Sequence, residues 1–193
     1  AYYLLDINAP GQDTAAVLAA GLPDIIRNFP WPKSMRWGVG SLRWVRPLRG
    51  LTCCLGVDVI DCERDGLRAR NTVRGHRFMA SEFCAPVSAA NYVETLMQAK
   101  VMVEASARGQ AIEGAARGLA EEKHCALVDD PALVNETAGL VEWPVPLLGR
   151  IDDAFMDVPD EVLTSVMRTH QKYFALKNPE TNQLAPYFIT IAN

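Results

Sequence analysis

The chain has 193 residues, 49% hydrophobic and 22% charged, with a formal net charge of −4. This mix is ordinary for a globular protein and excludes a mostly disordered chain, a collagen-like fibre and a coiled-coil rod. No apolar run approaches the roughly 18–20 residues of a membrane span, so no segment is predicted to cross a bilayer.

The chain opens on Ala1-Tyr2-Tyr3, without Met and without a basic leader, so no signal peptide is predicted. Tyr2–Asn8 reads as a strand, and both ends of the chain carry apolar, strand-like text. We therefore expect a piece cut from a longer protein, forming one α+β domain over residues 1–193. Pro10-Gly11 breaks the first strand. Asp13 or Thr14 then caps a helix to about Asn28, with Val17, Leu18, Leu22, Ile25 and Ile26 on its apolar side. Pro23 is expected to bend or divide it. Phe29-Pro-Trp-Pro-Lys33 holds two prolines, which remove two backbone donors and make a stiff aromatic loop.

Residues 42–55 and 57–62 read as two strands with a turn near Gly56, and a third follows the Asp65-Gly66 turn through Leu67–Val73. Together they predict an antiparallel meander. Ser88 is the expected cap of a helix over residues 89–99, and Val101–Val103 reads as short strand or helix. Ala107–Glu122 predicts a surface helix with Ile112, Ala115, Ala116 and Leu119 on one side. Asp130-Pro131 is an N-cap followed by proline at the first helical position, opening a helix to about Leu140. Two prolines within Val141–Leu148 predict an edge or bulged strand. Pro159 begins another helix, with Asp160 and Glu161 in its first turn. Asn178–Gln183 links the strands Tyr173–Leu176 and Tyr187–Ala192 as a hairpin. Helices set between blocks of hairpins predict α+β rather than a regular βαβ winding.

Charge is unevenly placed. Residues 1–77 carry 11 basic and 7 acidic groups, whereas residues 78–193 carry 8 and 16. Between Asp24 and Asp58 there is no acid, yet Arg27, Lys33, Arg36, Arg43, Arg46 and Arg49 lie there. Two uses compete: a basic surface facing an anion such as nucleic acid, and a solvated face paired with the acidic half. The five cysteines include no CxxC pair, so a zinc site is not expected and a reducing, cytoplasmic setting is.

Most active-site signals are missing. Gly38-Val39-Gly40 lacks a third glycine, and there is no GxxxxGK[ST], HExxH or GxSxG. His170 follows Val162 and Val166 at spacing four, which places it on or beside an apolar helix stripe as a packed residue. In Arg74-Gly-His-Arg-Phe78 a glycine permits a tight turn among three potential donors. That turn suits a phosphate or carboxylate; equally, its arginines could pair with the acidic half. Asp152, Asp153, Asp157, Asp160 and Glu161 read either as a hard-metal cluster or, more commonly, as turn and helix-start acids. Trp31, Trp37, Trp44 and Trp143 interleave with Arg and Pro, for base stacking or for anchoring the core.

Several stretches, taken together, carry a resemblance. These are Phe29-Pro-Trp-Pro-Lys-Ser-Met-Arg-Trp-Gly38, Arg46-Pro47, Arg74-Gly-His-Arg-Phe78, Leu140-Val-Glu-Trp-Pro-Val145, Val158-Pro-Asp-Glu161-Val-Leu163, His170-Gln-Lys-Tyr-Phe174, and the end from Phe188 to Asn193. In this order they resemble the β subunit of bacterial tetrameric glycyl-tRNA synthetase. The resemblance implies an enzyme of two α and two β chains that joins glycine to its tRNA with ATP. It places the adenylate site, with ATP and magnesium, on the α subunit, and no cofactor in this fragment. It implies a portion resembling the editing-type domain of the phenylalanyl-tRNA synthetase β subunit, a cytoplasmic setting, no membrane, and no catalytic residue that can be placed here. Charge and motif position make Arg36, Arg43, Arg46, Arg74, His76, Arg77 and Lys172 the candidate tRNA contacts. The expected role is a non-catalytic module aiding tRNA binding and assembly. The alternative is a hydrolytic editing domain with a base such as His170 or His76. Glycine is the smallest amino acid, so larger ones are excluded sterically and the need for editing is low.

Overall fold

The computed structural model describes Tyr3 and residues 10–193, so the strand expected over Tyr2–Asn8 lies, Tyr3 apart, outside the described residues. The fold is α+β, and the chain forms two compact units. The first holds Ala1–Arg74 and Cys84–Thr95; the second holds Gly75–Phe83 and Leu96–Asn193.

In the first unit, Thr14–Asn28 is helix α1, closed at its start by the Asp13 carboxylate, which accepts the Ala16 N–H at 2.9 Å. Pro23 does not divide the helix: α1 runs through it as one element. The aromatic loop follows, then β1 (Met35–Arg36) and β2 (Arg43–Trp44), paired antiparallel. The strand expected over residues 42–55 is instead three short pieces, β2, β3 (Leu51–Thr52) and β4 (Cys54–Leu55). Pro47 lacks a ladder donor and Gly50 offers no side chain to pack, so the run cannot stay one strand.

The turn at Gly56 (φ +64°) joins β4 to β5 (Asp58–Val59). Asp65 and Gly66 both take positive φ between β6 (Glu63–Arg64) and β7 (Leu67–Arg70), as a two-residue hairpin demands. The meander expectation fails at β3, which pairs with β7 in parallel. The intervening residues supply the long crossover that a parallel pair needs. Next, β8 (Thr72–Arg74) pairs with β9 (Cys84–Pro86). Leu42, Ile60, Cys62, Ala69, Val73 and Val87 are buried. Helix α2 (Tyr92–Gln98) starts later than expected. A turn precedes it, in which the Asn91 Oδ1 accepts the Ser88 N–H at 2.6 Å and the Ser88 carbonyl accepts the Asn91 N–H at 3.3 Å; the Asn91 carbonyl accepts the Thr95 N–H at 2.9 Å.

In the second unit, residues Val101–Val103 are neither strand nor helix. Helix α3 (Ala105–Glu121) buries Ile112, Ala116 and Ala120, one face at spacing four, while Ala115 is exposed. After β10 (Ala126–Leu127), helix α4 (Pro131–Ala138) begins as the sequence predicts, with the Asp130 carboxylate accepting the Leu133 N–H at 2.9 Å. Then come β11 (Val145–Arg150), a 3₁₀ turn (Asp153–Phe155), α5 (Asp160–Val166), a π turn (Met167–Gln171), β12 (Phe174–Lys177) and β13 (Leu184–Ala192). Four strands form one antiparallel sheet in the order β10-β12-β13-β11. The proline-bearing β11 stands at its edge, where a missing donor is harmless. Ile112, Leu133, Phe174, Leu176 and Ile189 centre the core between this sheet and α3 and α4. Among the described residues no helix is long and apolar enough to cross a membrane.

Candidate nucleic-acid interface

The basic run between Asp24 and Asp58 folds around an aromatic clamp. Phe29, Trp31 and Trp44 pack together, with ring centroids 4.6, 5.4 and 5.0 Å apart. The clamp ties the chain leaving α1 to β2. Side chains alternate across a strand pair, so residues directly opposite share a face. Met35 stands opposite Trp44, and Arg36 stands opposite Arg43. The ribbon thus has one apolar, aromatic face and one face of two arginines.

Like charges directly opposite on neighbouring strands repel. The Arg43 guanidinium donates to Ser34 Oγ at 3.2 Å and to the Ser34 carbonyl at 3.1 Å, which orients it without neutralising it. Arg36 is exposed, and among the described residues Arg46 donates only to the neighbouring Val45 carbonyl, at 2.9 Å. Among the described residues, Lys33, Arg36, Arg43, Arg46 and Arg49 form no salt bridge with a carboxylate. Arg74 is exposed at the end of β8, opposite Cys84.

The arginines of the second unit beyond Arg77 are placed differently. Arg108 donates to the carbonyls of Met102, Val103 and Ala138. Arg117 pairs with Glu113 at 2.6 Å and with Asp129 at 3.2 Å, and Arg150 with Asp153 at 2.7 Å. Arg168 pairs with Asp130. Lys172, a candidate contact, pairs with Glu136 at 2.8 Å and donates to the Thr169 carbonyl at 3.1 Å. These cations close helix ends and loops.

His76 is not a surface donor. It is fully buried, and its Nδ1 accepts the N–H groups of Phe78 at 3.3 Å and Met79 at 3.2 Å. His170 is not on a buried stripe: it is exposed, as are Val162 and Val166, and Met167 is the residue turned inward. Arg36 and Arg43 are therefore brought face to face, while His76 is withdrawn inside and Lys172 is engaged elsewhere.

Burial, then the neighbouring Cys53, pushes the Cys62 thiol up, away from the nucleophilic thiolate. Gly38 and Gly40 link two strands and open no helix, so these residues do not fit a phosphate loop for ATP. Three of the five clustered acids have structural partners: Asp152 accepts the Ala154 N–H at 2.9 Å, Asp153 holds Arg150, and Asp160 accepts the Leu184 N–H at 2.7 Å.

A model of the glycyl-tRNA synthetase beta subunit family matches residues 1–193. The chain is 47% identical over 191 residues to the glycine–tRNA ligase beta subunit of Paracoccus denitrificans, covering 97% of this chain and 28% of that protein. The beta subunit of Ruegeria sp. is 46% identical over 197 residues, with 100% and 28% covered. That of Phenylobacterium zucineum is 42% identical over 192 residues, with 99% and 29% covered. The chain spans a little over a quarter of the length of these curated relatives.

Proposed function

The chain belongs to the glycyl-tRNA synthetase beta subunit family, and from that premise we propose that it is a non-catalytic module of a glycine–tRNA ligase that helps hold tRNA. The observation that carries this reading is the Arg36–Arg43 ribbon face. Two arginines held opposite each other without a carboxylate are a repulsion that a phosphodiester relieves. Arg46, Arg74 and Arg77 add further exposed cations. Arginine's flat fork matches phosphate, and phosphate contacts position RNA without reading its sequence. In this reading the α subunit carries ATP, magnesium and glycine in an assembly of two α and two β chains, in the cytoplasm. The relatives' names supply the ligase and the subunit relation; the ribbon supplies the contact surface.

Binding of the assembled enzyme to glycine tRNA across a salt series tests this. Arg36→Glu with Arg43→Glu is expected to weaken binding and to reduce the slope of log affinity against log salt by about one per lost contact. Unchanged affinity and slope would remove the ribbon from the tRNA surface.

A further inference from the structure

The turn Gly75–Phe83 lies wholly in the second unit and is tied from inside. The Gly75 N–H donates to the Phe83 carbonyl at 3.1 Å, His76 N–H to Ala99 at 2.8 Å, Ala80 N–H to His76 at 3.0 Å, and Phe83 N–H to Ala80 at 3.0 Å. A β carbon on Gly75 would lie 2.7 Å from the Ala80 carbonyl oxygen and 2.9 Å from the β carbons of Ala80 and Phe83, so the turn closes only on glycine. The buried His76 ring then draws the Phe78 and Met79 N–H groups inward onto Nδ1. The side chains at the tip are left outside. Phe78 is 75% exposed, and the Arg77 guanidinium carbon stands 5.5 Å from its ring centroid. Among the described residues, Arg77 meets no carboxylate.

We propose that Phe78 is a stacking platform for an unpaired nucleobase of RNA, with Arg77 beside it to meet that nucleotide's phosphate. This rests on the reading of the chain as a tRNA-holding module. A free π face flanked by a cation is the pairing that grips single-stranded nucleic acid whatever the base. A ring meant for a protein pocket would sit within a wider apolar patch. Here the aromatic and charged neighbours of the ring are the Arg77 guanidinium and the buried His76 ring, whose centroid lies 6.2 Å away, and the turn goes on through the polar, hydrogen-bonded Ser81 and Glu82. The internal hydrogen bonds set the ring in place before binding, so little ordering entropy remains to be lost. His76 is the positioning residue of this tip; it touches no RNA itself.

The test uses the full-length β chain assembled with its α partner, and a glycine tRNA transcript. Phe78→Ala and Phe78→Leu are each expected to weaken binding about tenfold, with the salt slope unchanged, and Phe78→Trp to restore it. Phe78→Leu binding as tightly as the wild type would overturn stacking, since an apolar protein contact tolerates leucine. Phe78→Ala that loosens α–β assembly while sparing tRNA would overturn it too. If the Phe78 variants are silent but Arg36→Glu with Arg43→Glu weakens binding, stacking fails and the tRNA-holding reading stands. If all are silent, both fail.

Discussion

Asp130 serves two partners at once. Its carboxylate accepts the Leu133 N–H that opens α4 and also takes the Arg168 guanidinium. Hydrogen bonding from Arg168 first, then from the Leu133 N–H, holds the carboxyl below its ordinary range against the opposing pull of burial. Its folded value therefore lies below its unfolded one. The contribution is full above about pH 4 and is lost as pH falls through the folded value. Asp130→Asn keeps a cap acceptor and loses the charge; because Arg168 is about half exposed, the expected cost at pH 7 is only about 0.5 kcal/mol. Asp130→Ala loses the cap as well and is expected to cost about 1–2 kcal/mol. Urea unfolding at pH 7 and pH 3 checks both, and the gap between wild type and Asp130→Asn should narrow in acid. His76→Ala is a stronger case. It leaves the Phe78 and Met79 N–H groups facing a buried void, for an expected loss of about 2–3 kcal/mol in the same measurement. The motif Arg74-Gly-His-Arg-Phe78 drew attention to His76 as one of three donors around an anion. The ring accepts instead. Residue types along a turn do not reveal which side chain the glycine lets fold inward.

At the scale of elements, the legible parts are those whose partners are close in sequence. The Asp13 and Asp130 caps, the Asp65-Gly66 hairpin and the β12–β13 pair are all local. The parallel β3–β7 pair was hidden because its partners meet only after two intervening turns. His170 was misplaced for a different reason. The spacing-four series Val162, Val166, His170 is apolar at two positions yet lies on the exposed face, while Leu163 and Met167, also four apart, are the residues turned inward. The arginine ribbon was legible as a charge run, but not as two arginines opposite each other, because register appears in no composition. Register has a price elsewhere too. Gly149 on β11 stands opposite Phe188 on β13, and a β carbon there would lie 2.2–2.7 Å from three atoms of the Phe188 ring. That ring is stacked on Tyr173 with centroids 4.3 Å apart and planes 9° from parallel, so it has little room to yield. Gly149→Ala is expected to cost about 1–3 kcal/mol. Thermal unfolding should show the loss, and Phe188→Leu in the same chain should recover part of it.

Across the whole molecule, the two units spend their cations differently. Arg77 apart, the second unit uses its arginines as internal ties; the first leaves a run of them facing solvent. Their backbones differ as well. The second unit has a nine-residue strand in a four-stranded sheet over a buried helix face, whereas, among the described residues, six of the nine strands in the first unit are two residues long. Amide exchange is expected to be slowest in α3, β12 and β13 and faster throughout β1–β6, because protection follows buried, hydrogen-bonded cooperativity. Exchange mass spectrometry checks this, and equal protection in both units would contradict it. The chain also passes from one unit to the other three times: after Arg74, after Phe83 and after Thr95. On the ribosome, the first unit waits for residues 84–95 before it is whole. The turn 75–83, already made, waits longer, since the carbonyl that receives the His76 N–H belongs to Ala99. Neither unit is a contiguous stretch of the message, so no single truncation yields either one intact.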